Sequence, residues 1–427
     1  MADHLLNARP AACNVIPRSL FARTAFPARG CGQQVHHSAG SAGRPVLRRP
    51  AATPFALQSV LDNNCLRSKR SLQTRAWTGA FTAPTRNENE PSTTCTEFRP
   101  PPTFLQTSGR IIAIGDIHGD VQKAITSLKL GGVLVEDSCG RPVWCGGNTV
   151  VVQLGDVLDR GDSEIGAIIL LRELDRQARL QGGAVYMLNG NHESLNLLGA
   201  AMWRRYVTPG GFRESGLVAG LRGEALESVE KRLRARLHLY SPGGRLACEL
   251  AKNPTVLIIN DTVFAHGGVL PNHVKYGLER LNAEVAAWMR GAHMADGTKS
   301  RPPYLAMGGP DSVMWNRQFG HERFPTMHQR FRACMDLDAT LRLLGARQLI
   351  VGHTPQTNGA NCECNGRVWR MDVGMSKGVL DAAPQVLEIE PEDASGKSII
   401  RLLCPPSVPR MLLPAPNMAQ LRTHYPL

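Results

Sequence analysis

Val150–Asp162 reads VVVQLGDVLDRGD. The run of valines suits a strand buried on both faces, and Gly155 marks where that strand stops. The turn that follows is crowded with charge: Asp156, Asp159, Arg160 and Asp162 fall within seven positions. A plain turn needs glycine and one polar residue, so this density asks for a chemical reason.

The same grammar recurs along the chain. The short apolar run ending at Ile114 precedes Gly115-Asp116-Ile117-His118-Gly119-Asp120. Ala184 to Leu188 precedes Gly190-Asn191-His192-Glu193, Val263-Phe264-Ala265 precedes His266-Gly267-Gly268, and Gln348 to Val351 precedes Gly352-His353-Thr354-Pro355. Between the runs lie helical patterns at Val121 to Leu130, Glu164 to Leu180 and Leu337 to Leu344. Thr255 to Ile259 and Thr262 to His266 flank Asn260-Asp261, which predicts a hairpin. Val368 to Met371 and Val386 to Ile389 are further strands. Strand–helix alternation followed by hairpins predicts an α/β layered sandwich with mixed sheets. Phe212 to Leu239 is Arg- and Glu-rich, with Leu226, Val229, Leu233 and Leu237 at helical spacing; it reads as an amphipathic helical insertion, a cover rather than a site.

In α/β sheets ligands gather at the carboxyl ends of the strands, where loops converge. Six donors are offered there: Asp116, His118, Asp156, Asn191, His266 and His353. Oxygen and imidazole donors without thiolates suit Mn²⁺, Fe or Zn²⁺. Six exceed what one metal takes from protein but serve two metals that share a carboxylate, ~3.5–4 Å apart. Such a pair binds phosphate oxygens and sharpens a bridging water into hydroxide. Arg160 offers a planar fork matched to phosphate. His192, beside a ligand, can face the leaving group as general acid, with Asp159 holding the imidazole charged and oriented. Glu193 is left a supporting hydrogen bond.

The chain has 427 residues and a formal charge of +13. Residues 1–78 hold eleven Lys or Arg against Asp3 and Asp62, so +9 of that charge lies in the leader and +4 in the rest. A mildly basic body excludes a whole-domain nucleic-acid surface. No apolar run approaches the ~20 residues of a membrane span. The leader, rich in Ala, Ser, Pro and Gly and poor in acids, predicts an organelle transit peptide, chloroplast ahead of mitochondrion; a cytoplasmic chain with a disordered tail is the alternative. Residues 79–108 are Pro-rich and read as a linker, and residues 391–427 as a loosely packed tail. Eleven scattered cysteines without framework spacing predict reduced thiols, the closest pair being Cys362 and Cys364.

GDIHGD, GDVLDRGDSE, NGNHES, HGG and GHTPQ, in that order, resemble the calcineurin-like metallophosphoesterases, specifically the phosphoprotein phosphatases and within them the Shewanella-like protein phosphatases. The resemblance spans about Gly109 to Glu390. It implies a four-layer α/β/β/α sandwich over 109–390 and two divalent metals, manganese foremost. Asp116 and His118 would hold one metal, Asp156 would bridge, and Asn191, His266 and His353 would hold the other. Asp159 and His192 would form the acid pair, with Arg160 on phosphate, Asn191 near it, and a second arginine at Arg317 or, alternatively, Arg323. The implied activity is hydrolysis of phosphoserine, phosphothreonine or phosphotyrosine in a phosphoprotein substrate. A dinucleoside tetraphosphatase is the alternative within the superfamily. An inactive scaffold is the alternative outside enzymes, and the filled metal and acid positions argue against it.

One departure carries a prediction. Toxin-binding Ser/Thr phosphatases have a Ser-Ala-Pro-Asn-Tyr-Cys loop near the C-terminal end, whereas here Asp372-Val373-Gly374-Met375-Ser376-Lys377-Gly378 runs on without it. Activity should therefore persist in micromolar okadaic acid and microcystin, and nanomolar inhibition by either would contradict this reading.

Overall fold

The structure is a computed structural model and describes residues 98–199, 206–293, 307–391 and 399–406, with Cys95 and single positions between 297 and 304. The leader 1–78, the linker up to 94 and the tail from 407 lie outside the described residues.

The first strands are β1 (Phe104–Leu105), β2 (Ile111–Ile114), β3 (Leu134–Glu136), β4 (Pro142–Trp144), β5 (Val150–Gln153) and β6 (Ala184–Met187). They are followed by β7 (Val256–Ile259), β8 (Thr262–Ala265), β9 (Gln348–Val351), β10 (Asn361–Glu363), β11 (Val368–Arg370), β12 (Val386–Ile389) and β13 (Ile400–Leu403). The helices are α1 (Val121–Leu130), α2 (Glu164–Arg179), α3 (Asn191–Leu198), α4 (Pro209–Val218) and α5 (Glu224–Glu227). Then come α6 (Val229–Tyr240), α7 (Arg245–Leu250), α8 (Pro271–Tyr276), α9 (Leu278–Met289) and α10 (Met327–Leu344).

Two mixed sheets dominate, in orders β1-β7-β8-β9-β11-β10 and β13-β12-β2-β5-β6, beside a small β3–β4 pair. Strands β2, β5, β7, β8, β9 and β12 are buried at every residue, on both pleat faces. A sheet covered on both faces needs a second sheet on one side and helices on the other, which is the expected four-layer α/β/β/α sandwich. Parallel pairing of β2 with β5 and of β5 with β6 brings three carboxyl ends to one edge. In the other sheet β8 and β9 run parallel and deliver two more. The hairpin stands as expected, Ile259 pairing Thr262 across Asn260-Asp261.

Four expectations need correction. Phe104–Leu105, within the expected linker, pairs with β7, because main-chain bonds from Ile258 N to Thr103 O (2.8 Å) and Asn260 N to Leu105 O (2.9 Å) extend the sheet past the prolines. Ile400–Leu403, within the expected loose tail, pairs antiparallel with β12 as an edge strand. The insertion is three helices rather than one: Gly220 and Gly223 adopt φ of 89° and 52°, ending one helix before Ser228 caps α6 through Lys231 N. Helix α10 starts at Met327 rather than Leu337; Thr326 caps it, while Met327, Phe331 and Met335 face solvent and hide its periodicity.

The cysteines also depart from the expected reduced state. Cys95 is bonded to Cys248, and Cys334 on α10 to Cys364 in the β10–β11 turn. These pairs are 153 and 30 positions apart, a closeness that only the fold creates. Among the described residues Cys139 and Cys362 are free, and no helix is long and apolar enough to cross a membrane.

Candidate metal centre

The strand-end loops turn sharply to bring their donors together. Five of the nine non-glycine residues with positive φ among the described residues are His118, Asp156, Asp159, Arg160 and His353. Left-handed backbone is costly for residues with a Cβ, and its concentration here is what a functional site sustains and ordinary turns avoid. Close approach adds a second constraint: a Cβ on Gly190 would stand 2.3 Å from Asp156 Oδ1.

One carboxylate organises the loops. Glu193, fully buried at the third position of α3, accepts from Asp156 N (2.9 Å), Gly190 N (2.7 Å), Val157 N (2.9 Å) and Leu158 N (3.1 Å). Burial and neighbouring Asp156 push its pKa up, while the backbone donors oppose them. All four contacts are donors, which leaves no acceptor for a carboxyl proton, so the group acts as a buried carboxylate. Asp156 Oδ1 in turn accepts the backbone N–H of His192 at 2.9 Å.

Two buried three-residue groups result, His118–Asp156–His192 and Asp156–His266–His353, with Asp156 common to both. His118 Nε2 lies 3.7 Å and His192 Nε2 3.9 Å from Asp156 Oδ2, and His266 Nε2 lies 3.3 Å from Asp156 Oδ1. Asn191 Oδ1 is 2.9 Å from His266 Nε2. Asp116 Oδ1 is 3.9 Å from His266 Nδ1, and both its oxygens accept His353 N at 3.2 Å. Asp116, His118, Asp156, Asn191, His266 and His353 are thus brought to one place.

The donor set fits two cations. His118 Nδ1 meets Leu158 O at 2.9 Å, His266 Nδ1 meets Leu154 O at 2.8 Å, and His353 Nε2 meets Trp315 O at 3.1 Å. Each bond to a carbonyl consumes one ring N–H and leaves the other nitrogen as a lone-pair donor, the arrangement that metal-ligating imidazoles adopt. Burial holds His118 down at about 3 and His353 at about 2, so both are neutral bases. Among the described residues no Lys or Arg hydrogen-bonds Asp116, Asp156 or Asp372. Burial and Asp372 push Asp116 well above the usual carboxylate range. Burial would also raise Asp156, but His266 and His192 hold it well below; burial would lower His266, yet Asp156 and Asp116 raise it to about 10. Buried carboxylates without a fixed cation are the electrostatic demand that divalent ions meet.

His192 is wired differently. Its Nδ1 meets Asp159 Oδ2 at 2.6 Å, and its Nε2 lies 3.2 Å from Arg160 Nη2. Burial lowers the imidazole pKa, but Asp156 and Asp159 outweigh it, and the net shift is upward. Arg317 and Arg323 are both exposed, but Arg317 Nη1 donates to Thr354 Oγ1 at 3.2 Å and lies 3.5 Å from His353 O. Beside Arg317 opens a cavity of about 550 Å³ lined in part by Trp315, His321, Phe324 and Arg332.

Three contributors went unread in the sequence. Asp372 follows β11 and is raised to about 6, chiefly by burial; it obeys the same strand-end rule and was there to be found. Tyr206 packs its ring 5.0 Å from His192, and its carbonyl accepts Arg160 N at 2.7 Å. Arg236, in the insertion expected to be only a cover, is fully buried against Asp159. Neither of the last two has a sequence signal, because each meets the centre only through tertiary packing.

Residues 109–357 match the calcineurin-like phosphoesterase family. The chain is 38% identical over 320 residues to Shewanella-like protein phosphatase 2 of Arabidopsis thaliana, covering 67% of this chain and 76% of that one. It is 28% identical over 276 residues to Shewanella-like protein phosphatase 1 of Plasmodium berghei, covering 64% and 68%. Among solved structures, the cold-active protein-tyrosine phosphatase of a psychrophilic Shewanella species aligns with a TM-score of 0.50 at 21% identity, over 75% of this chain and 88% of that one. This last likeness concerns the fold alone.

The crowding at Gly190 gives a test. Gly190→Ala should displace the Asp156 carboxylate and weaken Mn²⁺ binding by about 10–100-fold, the usual cost of disturbing a ligand's support. Calorimetric titration of metal into the variant checks this, and unchanged affinity would show that the loop does not constrain Asp156.

Proposed function

The chain belongs to the calcineurin-like phosphoesterases, and within them to the Shewanella-like protein phosphatases; on that premise we propose that it hydrolyses phosphoserine, phosphothreonine or phosphotyrosine monoesters in proteins, with His192 as general acid. The observation that carries the role of His192 is its partner. His118, His266 and His353 each direct one ring nitrogen at a backbone carbonyl, and burial keeps His118 and His353 neutral, whereas His192 Nδ1 meets the carboxylate of Asp159 at 2.6 Å. A carboxylate partner stabilises imidazolium, the form that has a proton to give.

Asp116, His118 and Asp156 would hold one cation, and Asp156, Asn191, His266 and His353 the other. Two divalent ions, when bound, supply the nucleophile and offset charge on the phosphoryl oxygens. Oxygen and imidazole donors favour Mn²⁺, with Fe or Zn²⁺ also suited. Arg160 takes the phosphoryl group from the side of His192, and Arg317, beside His353, takes it from the other. Asn191 contributes a neutral amide oxygen, adding no charge against a dianion. His192 then passes its Nε2 proton to the leaving oxygen, while Asp159 keeps the ring in place from Nδ1.

The full chain should release phosphate from phosphopeptides and p-nitrophenyl phosphate with Mn²⁺ and lose this activity in chelator. Asp116→Asn should cost metal. His192→Asn should retain two metals per chain and lose ~10²–10⁴-fold in kcat on phosphoserine, the usual worth of general acid catalysis. Loss of metal from His192→Asn would instead make it a ligand, and turnover of Ap4A in preference to phosphopeptides would favour the nucleotide hydrolase.

The basic leader supports one further assignment: we propose that residues 1–78 direct the chain to the chloroplast. A fusion of these residues to a fluorescent protein should co-localise with chlorophyll; mitochondrial or cytoplasmic signal would overturn the assignment.

A further inference from the structure

The insertion reaches the acid pair through one side chain. Arg236, on α6, has no exposed surface and lies 77 positions from Asp159 in sequence. Its Nη2 donates to Asp159 Oδ1 (3.1 Å), Glu164 Oε2 (2.7 Å) and Asn196 Oδ1 (2.8 Å). Its Nε donates to Asn196 Oδ1 at 3.1 Å and its Nη1 to Ser215 Oγ at 3.2 Å. The guanidinium sits 4.7 Å from the Tyr240 ring centre and 5.9 Å from that of Phe212.

Charge balance alone does not require this geometry. A buried guanidinium needs a counter-charge, and Glu164 supplies one. The contact with Asp159 is additional and it completes that carboxylate: Oδ2 faces His192 Nδ1, while Oδ1 accepts from Arg236 and from Asn196 Nδ2 at 3.0 Å. Asn196 is itself pinned, since its amide also donates to His192 O at 2.9 Å and its oxygen accepts from Arg236. Asp159 is therefore held in one plane from behind by a group anchored on α2, α3 and α4 at once. A carboxylate fixed on one edge can hold an imidazole on the other with Nε2 aimed outward.

We infer that Arg236 is a positioning residue for proton delivery, acting through Asp159 to orient His192 toward the leaving oxygen. The inference rests on the phosphatase reading of the site and deepens it, because it makes the helical insertion part of the catalytic apparatus. Arg236 touches neither substrate nor metal ligand in this arrangement, so its effect should follow the need for a proton. An alkoxide, as from phosphoserine, leaves poorly unless protonated, whereas p-nitrophenolate leaves without help.

The test compares kcat and KM of the full Mn²⁺-loaded chain and its Arg236→Met and Arg236→Lys variants on a phosphoserine peptide and on p-nitrophenyl phosphate. For Arg236→Met the loss of kcat on the peptide should exceed the loss on p-nitrophenyl phosphate by about tenfold or more, within the ~10²–10⁴-fold that general acid catalysis supplies. KM and metal content, two ions per chain, should hold. Arg236→Lys keeps the charge without the fork, and should fall between Met and wild type with the same substrate dependence. In an Asp159→Asn background, Arg236→Met should add no further substrate-dependent loss, because the two act as one unit.

Equal losses on both substrates, no loss at all, or an undiminished effect in the Asp159→Asn background would overturn the inference. Should Arg236→Met fail to fold, the Arg236→Lys comparison decides by the same criterion. A wild-type chain inert on both substrates would refute the phosphatase reading itself, an outcome distinct from any of these.

Discussion

The arrangement depends on a buried carboxylate that does no chemistry. Glu193 gathers four backbone N–H groups, three from residues 156–158 and one from Gly190. It thereby fastens the loop after β5 to the start of α3, beyond the point where the parallel β5–β6 pairing ends. The loop holding Asp156, the residue common to both His/Asp groups, and the turn presenting Asn191 and His192 are locked to one another. Each bond to a charged acceptor contributes roughly 1.5–3 kcal/mol, and losing the acceptor would strand buried donors. That is enough to sustain left-handed backbone at Asp156, Asp159 and Arg160, which costs of order 1–3 kcal/mol per residue.

Two electrical environments are set within a few ångströms. His118 and His353, at the proposed metal positions, are tied to carbonyl oxygens and kept neutral by burial, as ligands must be. His192 is tied to a carboxylate and pulled toward its protonated form. The difference lies in the acceptor that meets the ring N–H, a carbonyl for His118 and His353 and a carboxylate for His192, and the backbone turns decide it. One fold thus sets neutral imidazoles beside one pulled toward its charged form.

Much of this was legible in the sequence because strands and their ends have strong local signals. β2, β5, β6 and the β7–β8 hairpin announce themselves as apolar runs closed by Gly or Asn, and the candidate ligands sit directly after them. Asp372 obeys the same rule and could have been read. Arg236 and Tyr206 could not, since their contacts with Asp159, Arg160 and His192 exist only in the packed fold, and an Arg-rich amphipathic segment looks alike whether it covers or participates. Cys334 and Cys364 are likewise joined by the position of α10 over the β10–β11 turn rather than by any spacing motif. Edge strands β1 and β13 were missed because short runs beside prolines carry little periodicity of their own.

The pairing of β2 with β12 bears on how the chain is made. Arg110 and Glu388, which join the two strands through an ion pair of 2.7 Å, lie 278 positions apart. A ribosome adding roughly 5–20 residues per second needs tens of seconds to cover that distance. For most of that interval Ile111–Ile114, which leads into Asp116 and His118, can pair with β5 on one side but has an open hydrogen-bonding edge on the other. An apolar strand with an unpaired edge invites other chains. The nascent polypeptide, rather than the finished enzyme, is thus the species that needs protection in the cell.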